Sequence, residues 1–252
     1  MLFAFFLVDK HKNMAYIGQI SLLYLILLII EMYGETTINY SFIWTAKPCL
    51  MPTLLILYLL NAHKNLSIER ICIMISLSFS CLGDIILMQH RNELFIFGLL
   101  SFLIAHLSYI VSFIVRFRHE RTQTKQRLTI SAMIVTVIPF LAYIALMIYV
   151  LHPKLTTEKE ETKNLFVPVV FYTCVIVGMA YVTTLRDRKT PGFWLVFLGA
   201  IFFVLSDTLI AFNKFVIPIS ASRLYIMFTY GLGQYLITIG LLQSNDRDSK
   251  LK

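Results

Sequence analysis

Charge is scarce in this sequence. Asp, Glu, Lys and Arg make up only 14% of its 252 residues, where a soluble domain carries about 25%. A chain of this size cannot clothe a water-facing surface with so few, which excludes an ordinary soluble enzyme. Cysteine is scarce too. Cys49, Cys72, Cys81 and Cys174 all fall within apolar runs, which excludes a disulfide framework. No Gly-, Pro- or Ser-rich linker divides the chain, so one integral membrane domain, 1–252, is expected. Absent as well are a G-x-S-x-G nucleophile elbow and a G-x-x-x-x-G-K-[ST] phosphate loop. A buried zinc site needs about three His or carboxylate ligands. His11, His63, His90, His119 and His152 lie in loops or at the ends of apolar runs, leaving His106 alone inside one. No metal and no cofactor is therefore expected.

What is abundant is hydrocarbon. Apolar residues form 58% of the chain and come in runs long enough for a bilayer core. The fold class expected is all-α, a polytopic bundle of about eight transmembrane helices near 15–33, 48–62, 71–88, 94–117, 128–151, 165–186, 192–213 and 223–243. The second span is short and reads as weakly tilted or partly re-entrant. The opening MLFAFFLVDKHK is too short to span, and it lacks the basic start and the cleavage site of a signal peptide. The segments 116–127, which is basic, and 152–164, of mixed charge, are the longest expected loops.

The net charge of +8 is unevenly placed. With a cytoplasmic N-terminus, that side holds Lys10, Lys12, Lys64, Arg70, Arg116, Arg118, Arg121, Lys125, Arg127, Arg186, Arg188, Lys189, Arg247, Lys250 and Lys252. The other side holds Lys47, Arg91, Lys154, Lys159, Lys163, Lys214 and Arg223. The positive-inside rule then puts both termini in the cytoplasm, as an even number of spans requires. The basic excess reads as a topology signal or a contact with anionic lipid, and no nucleic-acid partner is expected. Two N-x-S matches, at Asn39 and Asn65, fall on opposite sides of the expected membrane and carry no weight.

Against this background the polar residues inside the spans are informative, because the bilayer penalises each of them. Asp84 in CLGDIILM and Asp207 in VLSDTLI lie in the outer halves of spans three and seven. Lys47 enters span two from the outer side, Tyr230 lies one to two turns into span eight, and His106 and Gln234 lie midway through spans four and eight. Together they outline a cavity opening away from the cytoplasm. Ser76, Ser80 and Asp84 recur at four-residue steps on one face of span three, beside Gly83. His106 with Tyr109, and Tyr230 with Gln234, likewise share faces. The alternative for each is an interhelical hydrogen bond that holds the bundle. It suits the serines and Tyr109 best and the aspartates least, since a carboxylate is a costly adhesive.

Spans three and seven share L-[GS]-D-x-[IL]-[LI], and Lys47-x4-Pro52 is echoed by Lys163-x4-Pro168. A parallel four-plus-four internal repeat would bring Asp84 and Asp207 together about a pseudo-two-fold axis. The alternative is two unrelated helices with a chance match.

Lys47-Pro48-x2-Met51-Pro52, Leu82-Gly83-Asp84-x2-Leu87, Ala105-His106-x2-Tyr109, Gly199-Ala200 with Leu205-Ser206-Asp207-x2-Ile210-Ala211, and Thr229-Tyr230-x3-Gln234 together resemble the successive motifs of the YhhN-like lysoplasmalogenase family. The resemblance runs from about residue 44 to 243. It departs in span eight, where Gly231 and Gly233 replace the family's usual second Tyr and an Ala. It implies hydrolysis of the vinyl ether bond of lysoplasmalogen to a fatty aldehyde and glycerophosphoethanolamine or glycerophosphocholine. It also implies Asp84 and Asp207 as catalytic residues, with Lys47, His106, Tyr230 and Gln234 around the substrate. An endomembrane such as the endoplasmic reticulum is the expected location.

The chemistry suits the residues. A vinyl ether is cleaved by protonating its β carbon, and water captures the resulting oxocarbenium ion. A carboxyl group in apolar surroundings keeps its proton to higher pH than one in water. A second carboxylate can stabilise the cation and activate water, as in glycoside hydrolysis. A proton-coupled transporter also uses buried carboxylates, His and Gln, and a non-catalytic lipid-binding protein could share the fold. Release of free aldehyde separates the enzyme from both.

Overall fold

The computed structural model describes residues 10–62, 67–89, 92–124, 130–156 and 165–250. Eight α-helices run α1 Lys10–Thr37, α2 Tyr40–Asn61, α3 Ile68–Leu87, α4 Asn92–Thr124, α5 Ile130–Thr156, α6 Phe166–Thr184, α7 Phe193–Ala211 and α8 Ser222–Lys250, with a π-helical turn, Phe212–Val216, extending α7. Each of the eight contains a stretch long and apolar enough to cross a bilayer. Helices are what such a sequence must form, since hydrocarbon offers no partner for backbone polar groups. The chain is a multi-pass helical membrane protein.

Two expectations are corrected. The second span is a full helix of 22 residues, not a short or re-entrant 48–62. The Asn39 side chain accepts a hydrogen bond from Ser41 N at 3.1 Å and caps it, so the helix begins well before the apolar run. Pro48 and Pro52 lie inside it. Pro52 has no N–H for the Pro48 carbonyl four residues earlier, and Cys81 of α3 supplies a thiol donor to that oxygen at 3.7 Å. The second correction concerns 116–127. Helix α4 continues to Thr124, and Arg116 is not a loop charge but 2% exposed. The segments 1–9 and 157–164 and the repeat residue Lys163 lie outside the described residues.

One end of the bundle is closed by ion pairs. Arg116 of α4 donates through Nε and Nη2 to Glu69 Oε1 of α3, at 2.9 and 2.8 Å. Arg186, just after α6, donates to Glu120 of α4 at 2.6 Å and to Ser244 of α8 at 2.9 Å. Asp187 N also donates to Glu120, at 3.3 Å. The segment entering α7 is pressed onto α8: Gly192 has φ +80°, and a methyl there would come within 2.0 Å of the Gly240 carbonyl oxygen. Only glycine meets both demands.

The most extensive seams join α3 to α4 and α7 to α8. In the second, a methyl on Gly199 would lie 2.7 Å from the Gly233 carbonyl oxygen, so small residues let the backbones approach, as packing between membrane helices requires. Helix α1 packs on both α2 and α8, with Tyr24 donating to the Gly231 carbonyl at 2.8 Å. Helix α5 packs on α6 and on the π-helical turn, and among the described residues has no comparable seam with α4. This asymmetry leaves one flank of the bundle open.

Candidate active site

Both intramembrane aspartates sit near the end of the bundle opposite the ion pairs, and each is held by a tyrosine from another helix. Asp84 of α3 is 4% exposed and accepts a hydrogen bond from the Tyr230 hydroxyl of α8 at 2.7 Å. Asp207 of α7 accepts one from the Tyr172 hydroxyl of α6. The Tyr172 hydroxyl also lies 2.9 Å from His106 Nε2 of α4. Its single proton goes to Asp207, so His106 carries hydrogen on Nε2 and donates it to Tyr172. That leaves Nδ1, which has no hydrogen-bond partner. His106 Nε2 is itself 3.5 Å from Asp207 Oδ2. The two carboxylates are near enough to feel each other's charge.

Asp84 of α3 is thus tied to α8, whereas Asp207 of α7 is tied to α6 and lies 3.5 Å from His106 of α4. Between the two pairs stand aromatic rings. Phe203 packs edge-on against both His106 and Tyr230, at 4.6 and 5.3 Å between centroids. Phe102 closes on the other side of Tyr230 at 5.8 Å.

The two aspartates differ in access. A narrow apolar cleft is lined by Phe95, Phe102, Tyr143, Tyr172, Asp207 and Thr208 among others. It lies beside the open flank between α4 and α5, and the Asp207 side chain is 12% exposed there. On the Asp84 side the equivalent space is filled by α1, whose Leu28 and Tyr24 abut Gly231. A Tyr143–Thr208 hydrogen bond links α5 to α7 at the cleft wall. Beyond it an apolar groove continues along α5 and α7, sharing Tyr143, Val204 and Thr208 with the cleft.

The remaining residues singled out in the sequence are placed as follows. Lys47 lines a second, polar cleft at the same end, close enough for its charge to reach Asp84 and Glu31. Gln234 is fully buried, accepts from Tyr109 at 2.7 Å and donates to Ser80 at 3.0 Å. Its amide oxygen and nitrogen each make one bond, and together they tie α8 to α3 and α4. Ser76 donates to the Ala105 carbonyl at 2.9 Å, another interhelical tie.

Three residues escaped the sequence reading. Tyr172, the link between His106 and Asp207, carries no signal in sequence, since tyrosines are common in these spans. Glu31 and Glu35 of α1 did carry one, being carboxylates in or beside an apolar run. Glu31 is completely buried and neither of its oxygens has a hydrogen-bond partner, while Glu35 faces Arg223 at 3.6 Å.

These features define a class: a multi-pass membrane protein with two tyrosine-bound carboxylates, one of them at the wall of an apolar cleft. A sequence profile of the YhhN family matches residues 42–241, and the chain belongs to that family. It is 28% identical over 177 residues to human lysoplasmalogenase TMEM86A, covering 69% of this chain and 66% of the relative. It is 28% identical over 173 residues to lysoplasmalogenase of Mycobacterium tuberculosis, covering 68% of this chain and 60% of the relative. It thus spans somewhat under two thirds of the length of these relatives. No solved structure matches the chain.

Proposed function

We propose that the protein is a lysoplasmalogenase, hydrolysing the vinyl ether bond of lysoplasmalogen by acid catalysis within the membrane. The carrying observation is Asp207, a carboxyl group that reaches an apolar, bilayer-side cleft while Tyr172 and His106 hold it from behind. The names of the relatives support the same reading. The alkenyl chain enters along the open flank and lies in the cleft. The Tyr172 hydroxyl engages Asp207 Oδ2, which leaves Oδ1 as the oxygen to deliver a proton. That proton moves to the β carbon of the vinyl ether, leaving an oxocarbenium ion at the α carbon and a carboxylate on Asp207. Asp84, held by Tyr230, is the second carboxyl group of the site. Water adds to the cation and loses a proton, which restores the acid. The hemiacetal then breaks its bond to the glycerol oxygen, which takes up the hemiacetal hydroxyl proton, to give aldehyde and glycerophosphoethanolamine or glycerophosphocholine.

With the positive-inside rule, both termini lie in the cytoplasm and the aspartates open to the other side. Arg116 and Arg186 are paired with glutamates, but the remaining basic residues keep the same asymmetry. Tags at the termini should be reached from the cytoplasm and a tag within 157–164 should not.

The experiment is aldehyde release from lysoplasmalogen by the detergent-purified full chain. In heavy water turnover should slow, and deuterium should appear on the carbon next to the aldehyde. Saturated ether and ester lysolipids should bind without reacting, since they have no alkene to protonate. Ester cleavage at a comparable rate would sink carbon protonation, and absence of aldehyde would favour the transporter reading.

A further inference from the structure

The polar cleft shares Leu87, Phe95 and Ile210 with the apolar cleft that holds Asp207, so the two adjoin. Three cations, Lys47, Lys214 and Arg223, line it against one carboxylate, Glu35, in an open volume of about 980 Å³. They come from three different places in the chain: α2, the π-helical turn and the start of α8. The π-helical turn, closed by Ile217 N donating to the Phe212 carbonyl at 3.0 Å, sends Lys214 across Phe95, with Nζ 4.2 Å from the ring centroid. Asn213 is held by a bond from Ile219 N at 2.9 Å, which fixes the turn. Arg223 is 45% exposed, and its 3.6 Å separation from Glu35 leaves the guanidinium fork unsaturated.

We propose that this cleft is the phosphate subsite of a lysophospholipid, with Lys214 and Arg223 as its phosphate-binding residues beside Lys47. The inference rests on the lipid-hydrolase reading for its ligand but not for its test. A cationic cleft side by side with an apolar one matches an amphiphile with a charged head and a single chain. Arginine and lysine together suit a phosphodiester: one offers a planar fork, the other a point charge. Glu35 is placed to meet the ammonium group of an ethanolamine or choline head.

The test is equilibrium binding to the full chain in detergent, using a saturated 1-O-alkyl-lysophosphocholine and a 1-O-alkylglycerol of the same chain length. The phosphate-bearing lipid should bind at least tenfold more tightly. Lys214→Gln and Arg223→Gln should each remove about tenfold of that preference while leaving alkylglycerol affinity unchanged, and Lys214→Arg should restore most of it. Equal affinity for the two lipids, or an undiminished preference in both Gln variants, overturns the subsite. Inorganic phosphate and glycerophosphocholine, as competitors, distinguish the sources. Weak competition in the millimolar range supports a lipid headgroup, whereas competition by free phosphate as strong as by the lysolipid overturns that assignment. Because the readout is binding, an inactive protein that shows the expected preference leaves the subsite standing. An active one whose variants keep wild-type affinity and KM loses the subsite and keeps the reaction.

Discussion

Each end of the bundle holds a pair of carboxylates on different helices, and the two pairs are held differently. At one end Glu69 and Glu120 are matched by Arg116 and Arg186. At the other, Asp84 and Asp207 are matched by the hydroxyls of Tyr230 and Tyr172. An arginine cannot give up its charge, so it meets its carboxylate as a fixed cation and fastens helices. A tyrosine hydroxyl satisfies one oxygen without bringing a positive charge of its own. The same functional group thus meets two kinds of partner, a fixed cation at one end and a neutral hydroxyl at the other. Access follows suit: Asp207 borders a cleft, whereas Glu120 is enclosed by Arg186 and the Asp187 backbone.

The sharpest way to break this contrast is to remove the acidic proton. Asp207→Asn should lower aldehyde release by about a hundredfold to ten-thousandfold, the scale of general acid catalysis, with thermal stability in detergent close to wild type. Asp84→Asn should lose about a hundredfold. Near-normal turnover in either variant removes that residue from the mechanism.

Next in size is damage at the arginine end. Glu120→Gln and Glu69→Gln each remove a counter-charge from a buried guanidinium, at about 3–5 kcal/mol of stability, read as a large fall in melting temperature and in folded yield. The double variant Arg116→Met with Glu69→Leu should recover most of the loss, because apolar packing replaces a pair whose desolvation was expensive. The equivalent repair, Asp207→Leu with Tyr172→Phe, should leave a stable protein with no activity. A double variant at the arginine end that stays as unstable as the single would refute the purely structural role.

Gln234→Met should leave the Tyr109 and Ser80 hydroxyls without their partner, costing about 1–3 kcal/mol of stability, with kcat and KM little changed in what remains folded. A raised KM at unchanged stability would return Gln234 to the substrate.

The smallest effect should come from Tyr172→Phe. It keeps the ring and removes the hydroxyl between His106 and Asp207, so turnover should fall about tenfold, or roughly 1.4 kcal/mol in the barrier, with little change in melting temperature. No change in kcat would mean that His106 and Asp207 need no bridge.

Eight helices, and the two aspartates within them, were legible from the sequence because hydrocarbon imposes a length and penalises every charge, whatever the neighbours are. The same rule would have found Glu31, a carboxylate in an apolar run. Partners were not legible. Nothing local distinguishes Tyr172 from Tyr181, or Arg116, which binds Glu69, from the basic residues that follow it, because pairing depends on which helix faces which. Composition likewise gave Lys47, His106 and Gln234 equal standing. Only packing separates them, since Gln234 spends both ends on Tyr109 and Ser80, His106 turns to Tyr172, and Lys47 alone of the three lines a cleft. The open flank beside Asp207 was also beyond one-dimensional reading. It exists because α1 packs on α8 while α5 leaves α4 uncovered, a difference in helix placement between two similarly apolar spans. The bilayer determines which segments become helices and which residues are costly in them; tertiary contacts decide which of those costly residues are used up in holding the fold and which are left to act.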